Sequence, residues 1–161
     1  MNIGGNMKRI LFLVVIALVV SVPLRADGPG NRNLGIGLVL GAPTGLSVKY
    51  WESSKFAYQG SLGGWAGGIT IGADYLIHSN AFNKTNVPFY YGPGVFFGSA
   101  GFGGPRFNSG DVALGARLMF GVDYLAPDHP FDIAFEIGPA LLLTPTVGMG
   151  IEVGVAFRYY P

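Results

Sequence analysis

From residue 27 onward the chain alternates with a period of two. Residues 112–124 show it most plainly: Val112, Leu114, Ala116, Leu118, Phe120, Val122 and Tyr124 are separated by Ala113, Gly115, Arg117, Met119, Gly121 and Asp123. One face is apolar, and the other carries two glycines and two charges. Over 131–143, Phe131, Ile133, Phe135, Ile137, Pro139, Leu141 and Leu143 oppose Asp132, Ala134, Glu136, Gly138, Ala140 and Leu142. Over 149–159, Met149, Ile151, Val153, Val155, Phe157 and Tyr159 oppose Gly150, Glu152, Gly154, Ala156 and Arg158. Shorter copies set Leu46, Val48 and Tyr50 against Ser47 and Lys49, and Ile69, Ile71, Ala73 and Tyr75 against Thr70, Gly72 and Asp74. Side chains that change face at every residue are the mark of a β-strand. No 3.6-residue stripe of useful length competes with them.

With weaker alternation over 34–40, 56–62 and 89–97, the pattern predicts eight strands: 33–40, 45–52, 55–63, 67–77, 87–98, 111–125, 131–143 and 147–160. Turn-forming residues separate them, as in Gly41-Ala42-Pro43-Thr44, Glu52-Ser53-Ser54, Ala126-Pro127-Asp128-His129-Pro130 and Thr144-Pro145-Thr146. Two connections are longer, 78–86 and 98–110. Short links between successive strands imply an antiparallel meander, and closing it gives an all-β, eight-stranded, up-and-down barrel.

Which face lies inside decides the environment. A soluble lipocalin-like barrel has an apolar interior and a polar exterior, and an outer-membrane barrel inverts this. The non-apolar face here is built of Gly, Ala and Ser with charges spaced along it. A solvent face has no reason to prefer glycine, which weakens strands. The interior of an eight-stranded barrel, by contrast, is just wide enough for side chains, so Gly35, Gly37, Gly72, Gly92, Gly94, Gly115, Gly121, Gly138, Gly150 and Gly154 are read as making room. The barrel is therefore expected to be transmembrane, with its apolar side outward. Lys49, Arg117 and Arg158 then face inward with Asp74, Asp123, Asp132, Glu136 and Glu152. Charges in so narrow a space must pair, which points to a salt-bridged plug; a catalytic or conducting arrangement is the alternative. The surplus of acid implies that one carboxylate is protonated, binds a cation or sits at a wet rim, and Asp123, near a strand end, is the rim candidate.

Aromatic residues sort toward one end of this arrangement. With both termini periplasmic, Tyr50 and Trp51, Tyr58, Tyr75, Tyr91, Tyr124, Phe131, Phe157 and Tyr159 fall at the periplasmic rim, with Phe56 and Phe89 beside them, as an aromatic girdle would. The opposite rim has fewer, namely Trp65, Phe97 and Phe102 or Phe107.

Lys8 and Arg9 precede an apolar run over 10–22 that Pro23 ends. The run is shorter than the roughly 20 residues of a spanning helix and fits a secretory signal peptide. Cleavage is placed after Ala26, with Ser21 as the alternative, leaving 27–161 as the barrel domain. The cut removes three basic residues and no acid. The whole-chain charge of +1 thus belongs to the leader and argues for no nucleic-acid partner. Cysteine is absent, which excludes disulfides, thiolate metal sites and a lipidated anchor. Glycine, at 27 of 161 residues, is more than twice the usual ~7% without a collagen-like period.

Several segments resemble a family of small, largely uncharacterised outer-membrane β-barrel proteins built in the manner of the OmpA and OmpX transmembrane domains. They are Gly41-Ala-Pro-Thr-Gly-Leu-Ser-Val-Lys-Tyr-Trp51, Ala73-Asp-Tyr-Leu-Ile-His78, Pro88-Phe-Tyr-Tyr-Gly-Pro-Gly94, Phe135-Glu-Ile-Gly-Pro-Ala-Leu141 and Gly154-Val-Ala-Phe-Arg-Tyr-Tyr160. The likeness covers nearly all of the mature chain. It implies integration in the outer membrane of a Gram-negative bacterium and brings no enzymatic activity with it. The last strand also resembles the signal read by the barrel-assembly machinery, with Glu152, Gly154, Phe157 and Tyr159 in the signature positions. Lipid and lipopolysaccharide are the implied surroundings, and the protein is expected to be a monomer.

Other motifs point away from catalysis. Gly41-Ala-Pro-Thr-Gly45 lacks the lysine and the helix of a phosphate loop, and Gly92-Pro-Gly94 has no βαβ unit around it. His78 and His129 are read as periplasmic turn residues, with no neighbouring ligand to build a metal site. No cofactor, metal or catalytic residue is expected. The long connection carries the best contact candidates, Phe102, Arg106 and Phe107, for lipopolysaccharide phosphate or a protein surface; a glycine-rich cap over the lumen is the plainer reading. The expected role is structural or surface-interacting, with a narrow ion-conducting pore as the alternative and a lipid-modifying enzyme as a third.

Overall fold

Each alternating segment becomes a strand in the computed structural model, which describes residues 28–65, 68–99 and 111–161, the side chain of Trp65 excepted. In chain order they are β1 (Leu34–Ala42), β2 (Thr44–Trp51), β3 (Phe56–Trp65), β4 (Gly68–Ser79), β5 (Phe89–Ser99), β6 (Val112–Leu125), β7 (Phe131–Thr144) and β8 (Gly148–Tyr159). Every strand pairs antiparallel with its sequence neighbours, and β1 also pairs with β8, so the sheet closes on itself. Closure leaves no edge among the eight strands. A short 3₁₀ turn, Pro29–Asn31, precedes β1. The signal peptide expected over 1–26 and the contact candidates Phe102, Arg106 and Phe107 lie outside the described residues, as does the side chain of Trp65.

The strand ends depart from expectation by at most two residues. The informative departure is β4, which runs on through His78 and Ser79 because these pair with Tyr90 and Phe89 of β5.

Register and burial place the apolar face outward. In β6, Val112, Leu114, Leu118 and Tyr124 are exposed while Ala113, Arg117, Met119 and Asp123 are buried. The alternation in β7 and β8 puts Phe135, Ile137, Leu141, Ile151, Val153 and Phe157 outside, and Asp132, Glu136, Glu152 and Arg158 inside. Of the aromatic rim set, Tyr58, Tyr91, Tyr124, Phe131, Phe157 and Tyr159 are exposed, and Tyr50 and Tyr75 are half-buried on the same outer face. Tyr50 lies opposite Tyr58, and Tyr58 opposite Tyr75, across two successive ladders.

Trp51 does not join them. Strand period places it on the face of Ser47 and Lys49, and it is fully buried inside the barrel. There it packs with Leu76, Tyr90, Met119, Leu125 and Tyr160. The end holding both the N-terminal segment and β8's exit, called here the chain-end mouth, is thus lined by large apolar side chains. A second cluster, Phe96, Ala113, Ala140 and Leu142, lies toward the other mouth.

The inner glycines accommodate these groups individually. A Cβ on Gly121 would stand 2.3 Å from the Tyr90 ring, one on Gly115 2.3 Å from Phe96, and one on Gly35 2.6 Å from Tyr160. On Gly72 it would come within 2.4 Å of the Arg117 guanidinium. Gly150 departs from expectation, since nothing lies within 4 Å of its missing Cβ. These positions make a paired prediction. Gly121→Val should lower stability in detergent micelles by about 1–3 kcal/mol through overpacking, whereas Gly150→Ala should leave it unchanged or slightly raised. Urea unfolding followed by tryptophan fluorescence checks both, and equal effects would mean the interior is not packed as described.

Candidate functional site in the barrel interior

The eight ionisable residues expected inside, Lys49, Asp74, Arg117, Asp123, Asp132, Glu136, Glu152 and Arg158, are all buried. They come from β2, β4, β6, β7 and β8, each on the inward beat of its strand, and they form two groups.

The first group lies against the chain-end aromatic layer. Asp123 accepts from the Lys49 ammonium and, at 3.1 Å, from Arg158 Nη2. Arg158 Nε donates to Asp132 at 2.9 Å, while its Nη1 donates to Gln59 Oε1 at 2.5 Å and more weakly to Ser47 Oγ at 3.4 Å. Glu136 accepts from the Tyr90 hydroxyl at 2.7 Å and from Gln59 Nε2 at 3.2 Å, with Arg158 Nη1 at 3.6 Å. The Tyr160 hydroxyl donates to Asp132 at 2.5 Å and accepts from Trp51 Nε1 at 3.2 Å. Burial, and then the Asp132 carboxylate, hold that hydroxyl well above the ordinary tyrosine range, so Tyr160 remains a donor. Lys49 Nζ also stands 4.6 Å from the Trp51 ring centre and 4.5 Å from that of Tyr90, in cation–π range.

The second group is built on Arg117. Its Nε and Nη2 each donate at 2.7 Å to the two oxygens of Asp74, the planar fork matching the carboxylate. Its Nη1 donates to Glu152 at 2.5 Å, and Nη2 also reaches Ser61 Oγ at 3.3 Å.

Two expectations need correction. Asp123 is not at a wet rim: it is fully buried and holds both Lys49 and Arg158. Its nearness to the strand end misled because the chain-end layer of Trp51, Leu125 and Tyr160 extends past it and excludes water. His78 is not a turn residue. It sits on the inner face of β4, its ring 4.2 Å from Trp51 and 5.0 Å from Tyr90, with Nε2 3.4 Å from Asp123. The alternation Asp74, Leu76, His78 continues inward beyond the point where the sequence pattern fades. His129 does lie in the β6–β7 turn.

Sequence reasoning also missed Arg32. It is buried at the chain-end mouth, where Nη2 donates to the carbonyls of Ala126 and His129 at 2.5 and 2.9 Å and Nη1 donates to that of Pro29 at 3.2 Å. Together with Trp51 N–H donating to Asn33 at 2.8 Å, these bonds fasten the N-terminal segment to the barrel end. No local pattern marks Arg32, because the two acceptors that tie it to the barrel lie some 95 residues away in backbone carbonyls of the β6–β7 turn. Tyr90 and Gln59, the neutral partners of Glu136, were missed as well; the signal for them is the weak alternation over 56–62 and 89–97, which sets them on the face opposite Tyr58 and Tyr91.

The assembly-signal positions divide by face, with Glu152 and Gly154 inside and Phe157 and Tyr159 outside. Among the described residues no group of three or more His, Asp and Glu is placed to hold a metal ion. Nor is any described helix long and apolar enough to cross a membrane, which says nothing of strands.

These features define a class: a closed, eight-stranded, antiparallel all-β barrel with an apolar outer face and ion-paired side chains within. Compared with family models, with curated proteins and with solved structures, the chain finds no match.

Proposed function

We propose that the protein is an integral barrel of the outer membrane of a Gram-negative bacterium, plugged by its own charged side chains, with a structural or surface-interaction role. The observation that carries this reading is the inversion of polarity. Ile36, Leu38, Leu40, Ile69, Ile71, Phe97, Phe135 and Ile151 face outward and exposed, while Lys49, Arg158, Asp123 and Asp132 are buried. Exposed apolar surface on this scale is what a bilayer covers and water does not. The likeness to small OmpA- and OmpX-like barrels supports the same placement. Lipid and lipopolysaccharide are then the surrounding partners, and the barrel-assembly machinery is the partner during biogenesis. The role is taken to be non-enzymatic, and the protein to act as a monomer.

The plug reading rests on the density of ion pairs across the interior, where Arg117 and Arg158 each bind more than one partner. The expected result in planar bilayers is no stable conductance from the purified, refolded chain. Glu136→Ala and Arg117→Ala, which each remove part of the network, should raise leakage or leave it at background. Stable ion-selective channels in the parent that either substitution abolishes would defeat the plug and establish a pore. The membrane reading is checked separately by gel mobility. The folded chain should migrate differently from the boiled chain and should need detergent to remain dispersed; a mature chain that is soluble and monomeric without detergent would overturn it.

A further inference from the structure

The two interior ion groups meet at a small cavity of about 20 Å³. Its lining includes Ser47, Gln59 and Glu136 from the first group and Ser61, Arg117 and Glu152 from the second. No ion pair among the described residues joins the two groups. A cavity of 10–15 Å³ or more holds a water only where two to four polar partners surround it, and an apolar one of the same size stays dry. Here the volume suits a single molecule, and polar side chains of both groups stand in a wall that also holds Val39, Ala42, Pro43, Met119 and Val153.

The donor and acceptor inventory narrows the occupant. Ser47 Oγ already accepts from Arg158, at 3.4 Å, and Ser61 Oγ from Arg117, at 3.3 Å, so each hydroxyl retains a proton to donate. Glu136 and Glu152, when ionised, accept and do not donate, and each oxygen has more than one lone pair. Glu136 spends one bond on Tyr90 and one on Gln59, and Glu152 one on Arg117. The space therefore lies between two hydroxyls with protons to give and two carboxylates with lone pairs to fill. A bare cation would satisfy the carboxylates but leave the two hydroxyl protons to compete for the same oxygens, whereas one water accepts from both hydroxyls and donates to both carboxylates.

We infer that this cavity is a binding site for one water molecule, which accepts from Ser47 and Ser61, donates to Glu136 and Glu152, and so links the two ion groups into one network. The water is structural: it supplies hydrogen bonds to a network in which five carboxylates face three cations, Lys49, Arg117 and Arg158. The inference rests on the barrel interior alone and not on the membrane reading, so either can fail without the other.

The test is a crystal structure of the refolded full chain in detergent, at a resolution that shows ordered water, with parallel thallium-soaked crystals. The expected result is one spherical density peak, within hydrogen-bond distance of a serine hydroxyl and a glutamate oxygen, without anomalous signal. Ser61→Val removes a donor and fills part of the space, and should abolish the peak. If Ser61→Val does not refold, the Ser47→Ala, Ser61→Ala pair serves, and the peak should be lost or displaced. A parent cavity without density, or an anomalous peak marking a monovalent cation there, would overturn the inference. So would a peak unmoved by loss of both hydroxyls. In micelles the same water should give a nuclear Overhauser contact to the Gly154 amide that disappears in the serine variants.

Discussion

Asp123→Ala is expected to lower the unfolding free energy by about 3–5 kcal/mol, the cost of removing one partner from a buried ion pair. Asp123 is fully buried and binds Lys49 and Arg158 together. The two cations do not lose equally. Arg158 keeps Asp132 at 2.9 Å and Gln59 at 2.5 Å. Among the described residues Lys49 keeps the Trp51 and Tyr90 rings, whose attraction is worth about 0.5–2 kcal/mol, and the more distant charge of Asp132, to which it makes no hydrogen bond. The damage should thus come chiefly from an uncompensated ammonium. Lys49→Met in the Asp123→Ala background should recover a large part of the loss, with a coupling energy of about 0.5–3 kcal/mol in the double-mutant cycle. Urea unfolding in micelles measures all four corners. Losses near zero for both single variants, with no coupling, would mean that water reaches these charges. A wet interior is what a pore requires, so this measurement bears on function as much as on stability.

The elements legible in the sequence were those in which one physical demand dominated. Where a strand separates two unlike environments along its length, as 112–125 and 131–144 do, the alternation states both its extent and its facing. Charges such as Arg117 and Glu136 on the inward beat could be placed before their partners were known, because a narrow lumen leaves charges no option but one another. Legibility failed where the two environments resemble each other. At the chain-end mouth the inner face turns apolar with Trp51, Leu76 and Leu125, so inside and outside read alike. The sequence pattern accordingly groups Trp51 with the rim aromatics and His78 with the turn. Pairing was illegible throughout: nothing in the order of residues says that Arg158 binds Asp123 and Asp132 while Arg117 binds Asp74 and Glu152. Barrel closure and shear decide that, and they emerge only from the full register. Arg32, fastened by two carbonyls of a distant turn, belongs to the same class of long-range consequence.

Outward substitution separates a membrane barrel from a soluble one most sharply. Ile137 lies midway along β7, exposed on the outer face and paired with Phe120 and Val153. Arginine at this height in hydrocarbon costs about 2–4 kcal/mol, falling to about 0–1 kcal/mol near the interface. Ile137→Arg should therefore destabilise the barrel in lipid vesicles by about 2–4 kcal/mol, and Leu143→Arg, near the end of the same strand, by about 1 kcal/mol or less. The depth dependence is the diagnostic, because both side chains are exposed and neither touches the interior network. On a soluble barrel the same two substitutions would replace exposed apolar groups with hydrated charge, and both would be neutral or favourable at any height. Refolding into vesicles of one acyl length, with unfolding followed by tryptophan fluorescence, measures the pair. Equal, negligible effects would place water outside the barrel; the glycines and ion pairs within would then need another explanation, since a chain free to present a polar exterior has no cause to bury Lys49, Arg158 and five carboxylates.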